Sequence, residues 1–220
     1  MSSPLFAVYG VSGCGRSIMP VARQQLAAEN VAPDRLVFVD DTVTEASVNG
    51  HRVLSYDDYL DESGGAGSVA IAIADSKVRE RLAAKCDSDS VSFWSVRADN
   101  VVIMDDVEVG CGALLSPFVT ITSNVRIGRF FHANLYSYVE HDCRIGDFVT
   151  FGPGAKCNGN VVIEDHAYVG AGAILRQGSP GSPLRIGQSA VIGMGAVVTR
   201  DVAAGATVVG NPARPHADSN

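Results

Sequence analysis

VEHDCRIGDFVTFGPGAKCNGNVVI (139–163) carries an apolar residue at every sixth place: Val139, Ile145, Phe151, Cys157 and Ile163. The beat runs back through Ala133, Ile127, Ile121, Leu115 and Val109 to Ile103. It runs forward to Val169 and, past a break, to Ile186, Ile192, Val198 and Ala204. An amphipathic helix repeats near 3.6 residues and a flat strand at 2. A period of six marks a parallel β-helix of hexapeptides. Three hexads make one triangular coil. Stacked coils bury a continuous thin core and pair their backbones into three flat parallel sheets. The first residue of each hexad is expected to point inward, and the second to lie near a turn. The fifth is small or β-branched, as at Ala113, Val119, Val149, Ala155, Ala167 and Ala190. Phe131 is the largest fifth-position residue and lies beside the small Ala133, a compensation of volume within the prism.

The beat breaks once, at LRQGSPGSPL (175–184). Two prolines, two glycines and two serines cannot sustain a ladder, so an extruded loop is expected there. It is either a tolerated insertion or a cover over a ligand groove, since loops on rigid scaffolds carry function.

Residues 1–95 follow another grammar. Apolar strands are expected over 5–9, 36–39, 69–74 and 91–94, and helices over 17–29, 56–62 and 76–85, the last capped by Asp75 or Ser76. Strands alternating with helices imply a small parallel sheet with helices on its faces. The expected division is a βαβ domain over 1–95, a prism over 96–214 and a tail over 215–220.

The 220 residues carry a net charge of −7, which argues against nucleic acid or an anionic membrane as the main partner. No apolar run approaches the length of a membrane span. MSSPLFAVYG (1–10) has no basic n-region, so no secretory signal is expected. Five cysteines without a CxxC pair suit reduced thiols in a cytoplasmic protein. Cys157 at a first position and Cys143 at a fifth are expected as small core residues.

Two places can carry chemistry. The first is GVSGCGR (10–16), between a strand and a helix. Its glycines let a backbone approach a diphosphate, and the helix start supplies free N–H groups. Asp40 and Asp41 end the next strand, where a carboxylate can accept from ribose hydroxyls or a base. Asp75, Lys77 and Arg81 follow the third strand. The spacing is not that of a dinucleotide fingerprint, so a nucleotide diphosphate fits better than a nicotinamide cofactor. An unliganded βα turn is the simpler alternative. The second place is His141, at a third hexad position that faces away from the core, with Asp142 beside it. A carboxylate that orients an exposed imidazole is the raw material of a general base, although surface His-Asp pairs are common. His132 and His166 could join His141 as zinc ligands across a subunit boundary, the arrangement of a γ-type carbonic anhydrase on the same prism. No nucleophile motif such as GxSxG is present, so a covalent intermediate is not expected.

Taken with FVDD (38–41), IADSKVR (73–79), VEHDCRIGDF (139–148), GAKCNGNV (154–161) and GNPAR (210–214), the glycine turn resembles the sialic-acid O-acetyltransferase-like family of bacterial nucleotide-sugar N-acetyltransferases. The resemblance spans nearly the whole chain. It implies a Rossmann-like βαβ domain followed by a left-handed parallel β-helix, assembled as a homotrimer with active sites between neighbouring prisms. It also implies acetyl-CoA-dependent acetylation, without metal, of the 4-amino group of a nucleotide-linked 4-amino-4,6-dideoxy sugar. GDP-perosamine, a precursor of lipopolysaccharide O-antigen, is the foremost substrate, with UDP- or dTDP-linked sugars as alternatives. His141 becomes the base and Asp142 its helper. Gly10, Ser12, Gly13, Cys14, Gly15, Arg16, Asp40, Asp41, Asp75, Lys77 and Arg81 become nucleotide-sugar residues. Thr150, Gly159, Ala171 and Gly195 line the acetyl-CoA groove. Three positions depart from the family pattern: Cys14 and Thr150 stand where relatives have histidine, and Asp142 where a relative has Glu. A non-catalytic nucleotide-sugar binder is the remaining alternative.

Overall fold

The computed structural model describes residues 4–216. The chain divides into two compact units, Met1–Asp99 with Cys111–Leu114, and Asn100–Gly110 with Leu115–Asn220. The first unit therefore extends past residue 95. Its strand Val96–Arg97 is held by Gln25, which accepts from Arg97 N and donates to Ser95 O, and by Val96 N donating to Ala113 O.

The first unit runs β1 (Leu5–Tyr9), α1 (Gly13–Ala28), β2 (Leu36–Val39), β3 (Ser47–Val48), β4 (His51–Leu54), α2 (Tyr56–Ser63), β5 (Gly67–Ile71), α3 (Ser76–Ser88) and β6 (Ser92–Phe93). The sheet order is β3-β4-β2-β1-β5-β6, and every pair is parallel except the β3–β4 hairpin. Every residue of β2, and all of β1 but Phe6, is buried, as expected of central parallel strands covered on both faces. Three differences from expectation stand out. Helix α1 begins at Gly13, so the glycine stretch itself forms its first turn. Strand β5 stops at Ile71, before Asp75 caps α3. The β3–β4 hairpin was not expected, although Asn49-Gly50 at its tip, both at positive φ, is a strong two-residue hairpin signal.

The second unit is a prism of stacked coils. One face stacks Val102–Ile103, Thr120–Ile121, Tyr138–Val139, Lys156–Cys157, Ile174–Leu175 and Val197–Val198. A second stacks Val107–Val109, Val125–Ile127, Arg144–Ile145, Val161–Ile163 and Leu184–Ile186. The third starts at Val96–Arg97 and runs through Leu114–Leu115, His132–Ala133, Thr150–Phe151, Tyr168–Val169, Val191–Ile192 and Thr207–Val209, closed by Arg214–Pro215. The inward column of first-position residues forms a continuous core with the fifth-position ones, Cys143 and Cys157 included. Phe131 meets Phe151 edge-on at 5.2 Å, in the space left by Ala133, the strand partner of Phe151. Fully burying each such aliphatic or aromatic side chain is worth about 1.5–3 kcal/mol.

Three expectations need correction. Ala204 is exposed. The last coil is two residues short, so Ile186 bridges Val202 and Ile192 pairs with Val208, and these valines take the inward places. The interruption is narrower than 175–184. Leu175 and Leu184 are strand residues with no exposed surface, so residues 176–183 leave the ladder, with Ser179 and Ser182 bridging across their turn. Of the tail expected over 215–220, Pro215 belongs to a strand, and residues 217–220 lie outside the described residues.

Each coil turns at corner residues in the left-handed region. Asp106, Asn124, Asp142 and Asn160 mark one corner. Phe130, Phe148 and His166 mark another.

Candidate active site

His141 and Asp142 form the corner between strands Tyr138–Val139 and Arg144–Ile145. The backbone there is tied to the coils on either side: Asn160 N donates to His141 O at 2.9 Å, and Asp142 N donates to Ser123 O at 3.2 Å. Asp142 has φ 58°, a conformation that Asp and Asn tolerate better than other side chains. That is a local reason for Asp, rather than Glu, at this place. Its shorter carboxylate still reaches the ring: Asp142 Oδ2 lies 2.7 Å from His141 Nδ1.

The hydrogen bond with His141 is the main cause holding the Asp142 carboxyl below the usual carboxylate range; desolvation slightly opposes it, and a hydrogen bond from Asn124 assists. An ionised Asp142 accepts from Nδ1–H, which leaves the lone pair on Nε2. The imidazole, 43% exposed, lies against Gly159, where a Cβ would stand 2.5 Å from Cε1 and Nε2. The constraint at 159 is one of room against the imidazole and not of backbone strain, because the backbone there is not left-handed.

The glycine turn is built by packing. Gly10 has φ +108°, and a Cβ there would stand 2.6 Å from Ile73 Cδ1; a Cβ on Gly15 would collide with the Gly10 carbonyl. Gly13 faces open space, so the start of α1 is clear for a ligand. Ser12 precedes α1 with its side chain exposed and not capping, Cys14 is half-buried, and Arg16 Nη1 donates back to Val11 O at 3.1 Å. Burial pushes the Cys14 thiol up, against the pull of Arg79.

Both aspartates after β2 have structural partners. Asp40 accepts from Val11 N at 3.1 Å, and from Thr42 N and Oγ1 at 3.0 and 2.7 Å. Burial works against its charge, but these hydrogen bonds prevail and hold its carboxyl low. Asp41 accepts from Tyr9 Oη at 3.0 Å and Tyr56 N at 2.7 Å. Asp75 is the α3 cap, accepting from Lys77 N and Val78 N, both at 2.9 Å. Lys77 pairs with Glu80 at 3.4 Å, and Arg81 is exposed on the same helix.

The other candidates are dispersed over the prism. Gly159 shares the His141 corner. Gly195 N donates to Ala171 O at 2.8 Å, across the far edge of the face that contains Tyr138–Val139. Thr150, 5% exposed, lies on another face, paired with His132 and Tyr168. His132 is buried in that same strand ladder, and His166 is stacked on Phe148 at a different corner from His141. These three histidines do not converge in one chain, and no group of three His, Cys, Asp or Glu side chains among the described residues could hold a metal ion. No described helix is long and apolar enough to cross a membrane.

No protein-family model matches the chain. It is 50% identical over 210 residues to GDP-perosamine N-acetyltransferase of Escherichia coli O157:H7, covering 96% of this chain and 95% of that protein. The chain belongs to the nucleotide-sugar N-acetyltransferase family. Two solved members of similar fold extend the likeness. WeeI from Acinetobacter baumannii AYE has a TM-score of 0.94 at 52% identity, covering 97% of this chain and 100% of that one. The H141N mutant of perosamine N-acetyltransferase from Caulobacter crescentus, in complex with CoA and GDP-perosamine, has a TM-score of 0.86 at 26% identity, covering 99% of both chains.

Two residues of this N-acetyltransferase were not singled out from sequence. Asn124 donates to Asp142 Oδ1 at 3.3 Å from 18 residues upstream, which is one coil. Counting back one coil from Asp142 would have found it. Arg79 is fully buried, and its guanidinium donates to the carbonyls of Ile73 (2.7 Å) and Ala74 (3.2 Å), fixing the chain between β5 and α3. Burial brings its pKa down to about 10, with Cys14 and Asp75 opposing.

Proposed function

We propose that the chain transfers the acetyl group of acetyl-CoA to the 4-amino group of GDP-perosamine, with His141 as general base. The observation that carries this is the 2.7 Å contact between Asp142 Oδ2 and His141 Nδ1, at an exposed corner of a chain half identical to GDP-perosamine N-acetyltransferase. The amine nitrogen attacks the thioester carbonyl, forming the N–C bond. His141 Nε2 takes the amine proton. The C–S bond then breaks, and the imidazolium returns the proton to the departing thiolate. Asp142 stabilises the imidazolium. Backbone N–H groups of a coil would steady the oxyanion. The H141N mutant of the Caulobacter crescentus relative is in complex with CoA and GDP-perosamine, as expected where the replaced residue is a base.

In the same reading the first unit is a Rossmann-like nucleotide domain. The turn at Gly10–Arg16 holds the diphosphate, and Asp40 and Asp41 use their remaining lone pairs on ribose or base. Asp75, Lys77 and Arg81 flank that site at the start of α3. The prism is left-handed and trimeric, with acetyl-CoA lying along Gly159, Ala171, Gly195 and Thr150 in a groove completed by a neighbouring prism. The enzyme works in the cytoplasm on a precursor of O-antigen.

The deciding test is release of free thiol from acetyl-CoA over a panel of GDP-, UDP- and dTDP-linked 4-amino sugars. GDP-perosamine should support the highest kcat/KM. A preference for another nucleotide would overturn the substrate, and no release with any sugar would return the chain to a binding role.

A further inference from the structure

We propose that Asn124 is a positioning residue for the His141–Asp142 pair, its amide deciding which carboxylate oxygen meets the imidazole. This rests on the general-base reading above. Asn124 and Asp142 occupy the same corner on successive coils, with φ 60° and 58°, so their side chains leave equivalent backbone in register. Asn124 Nδ2 donates to Asp142 Oδ1 at 3.3 Å, and the other oxygen, Oδ2, is the one 2.7 Å from His141 Nδ1.

A carboxylate turns easily about its last torsion, which is broad and two-fold. One hydrogen bond on each oxygen restrains that rotation. The restraint has a competitor to resist, because Arg126 and Arg144 line the same recess as Asn124 and Asp142, together with Asp106. Arg126 is engaged with Asp106 at 2.8 Å and Glu108 at 3.3 Å. An Asp142 that swung toward either guanidinium would abandon the imidazole. The order along the corner is Asp106, Asn124, Asp142, Asn160. Carboxylates alternate with amides, and no two carboxylates are adjacent.

Two variants test the role. Asn124→Gly removes the amide and suits the left-handed backbone. Asn124→Asp keeps the shape and puts a second carboxylate beside Asp142. With acetyl-CoA and GDP-perosamine, Asn124→Gly should lower kcat roughly three- to tenfold while both KM values and the melting temperature stay put. Asn124→Asp should lose more, because a second carboxylate repels the Asp142 oxygen that the amide had held. In a His141→Asn background, Asn124→Gly should cost nothing further, since coupled residues are not additive. Wild-type kcat in Asn124→Gly, or an equal loss in both backgrounds, overturns the positioning role and leaves the general-base reading standing. Near-normal turnover in His141→Asn alone overturns that reading, and the positioning role falls with it.

Discussion

Two corners of the prism share one backbone and carry opposite side chains. Asp106, Asn124, Asp142 and Asn160 turn one corner at φ 53–60°, and Phe130, Phe148 and His166 turn another at 54–63°. The left-handed region costs an ordinary residue about 1–2 kcal/mol, and Asp or Asn much less. The aromatic corner offsets that strain by stacking. Phe130 and Phe148 lie 5.0 Å apart and Phe148 and His166 5.2 Å apart, with rings within 9° and 3° of parallel, and all three are buried. The polar corner has little strain to offset, and Asp106, Asn124 and Asp142 are exposed there while Asn160 is buried. In the proposed mechanism its exposed side chains face the substrates. In the proposed reading one corner serves stability and the other chemistry, although the backbone does not distinguish them.

The sharpest separation should come from His141→Asn. General-base catalysis is worth about 10²–10⁴-fold, and turnover should fall by that factor. The melting temperature and the binding of both substrates, followed by calorimetry, should not change. A loss of stability comparable to the loss of rate would erase the distinction between the corners.

Phe148→Ala makes the complementary case. Its ring is sandwiched between Phe130 and His166, and truncating a buried Phe costs about 3–5 kcal/mol. Denaturant unfolding should register that loss. The protein that remains folded, assayed well below its new melting point, should keep its kcat per active site. A fall in kcat without a fall in stability would mean that the aromatic corner also serves the reaction.

The division between corners explains what could be read in the chain and what could not. The beat of six located inward residues such as Ile121, Phe151 and Leu175, because a constant coil length maps sequence spacing directly onto depth. It failed at Ala204, where the coil shortens by two residues and Val202 takes the inward place. The β3–β4 hairpin escaped because Ser47–Val48 is too short to show alternation, although Asn49-Gly50 marked its turn. His141 and Asp142 were legible as sequence neighbours. Asn124 was not, and Gly159 was singled out for the acetyl-CoA groove but not for its contact with His141, because each meets the pair across a coil boundary, 18 residues away. Asp75 was foreseen both as a cap and as a ligand residue, and the structure gives it the capping bonds.

Gly159→Ala probes the polar corner without touching its charges. The added methyl would enter the space of Cε1 and Nε2, so the imidazole must move or turn. Displacement of a reacting group by about 1 Å can cost on the order of 10²-fold. A kcat loss of roughly ten- to a hundredfold, with stability intact, is expected. If thermal unfolding shifts instead and kcat holds, room at 159 serves packing and the ring adapts.

The smallest effect concerns Asp142 itself. It supports the base and transfers nothing, so Asp142→Asn should cost less in kcat than His141→Asn. Its influence on stability has a definite sign. The folded carboxyl is held below the usual range, so the folded state gains only where the unfolded group would already be ionised, above pH about 4. That gain fades as pH falls through the lower folded value. The group is solvent-exposed, so the difference between wild type and Asp142→Asn should be slight at pH 7 and vanish in strong acid. Melting temperatures taken from pH 7 down to pH 2 check this. A gap that is large at neutral pH would place Asp142 among the stabilising residues and undo the contrast between the corners.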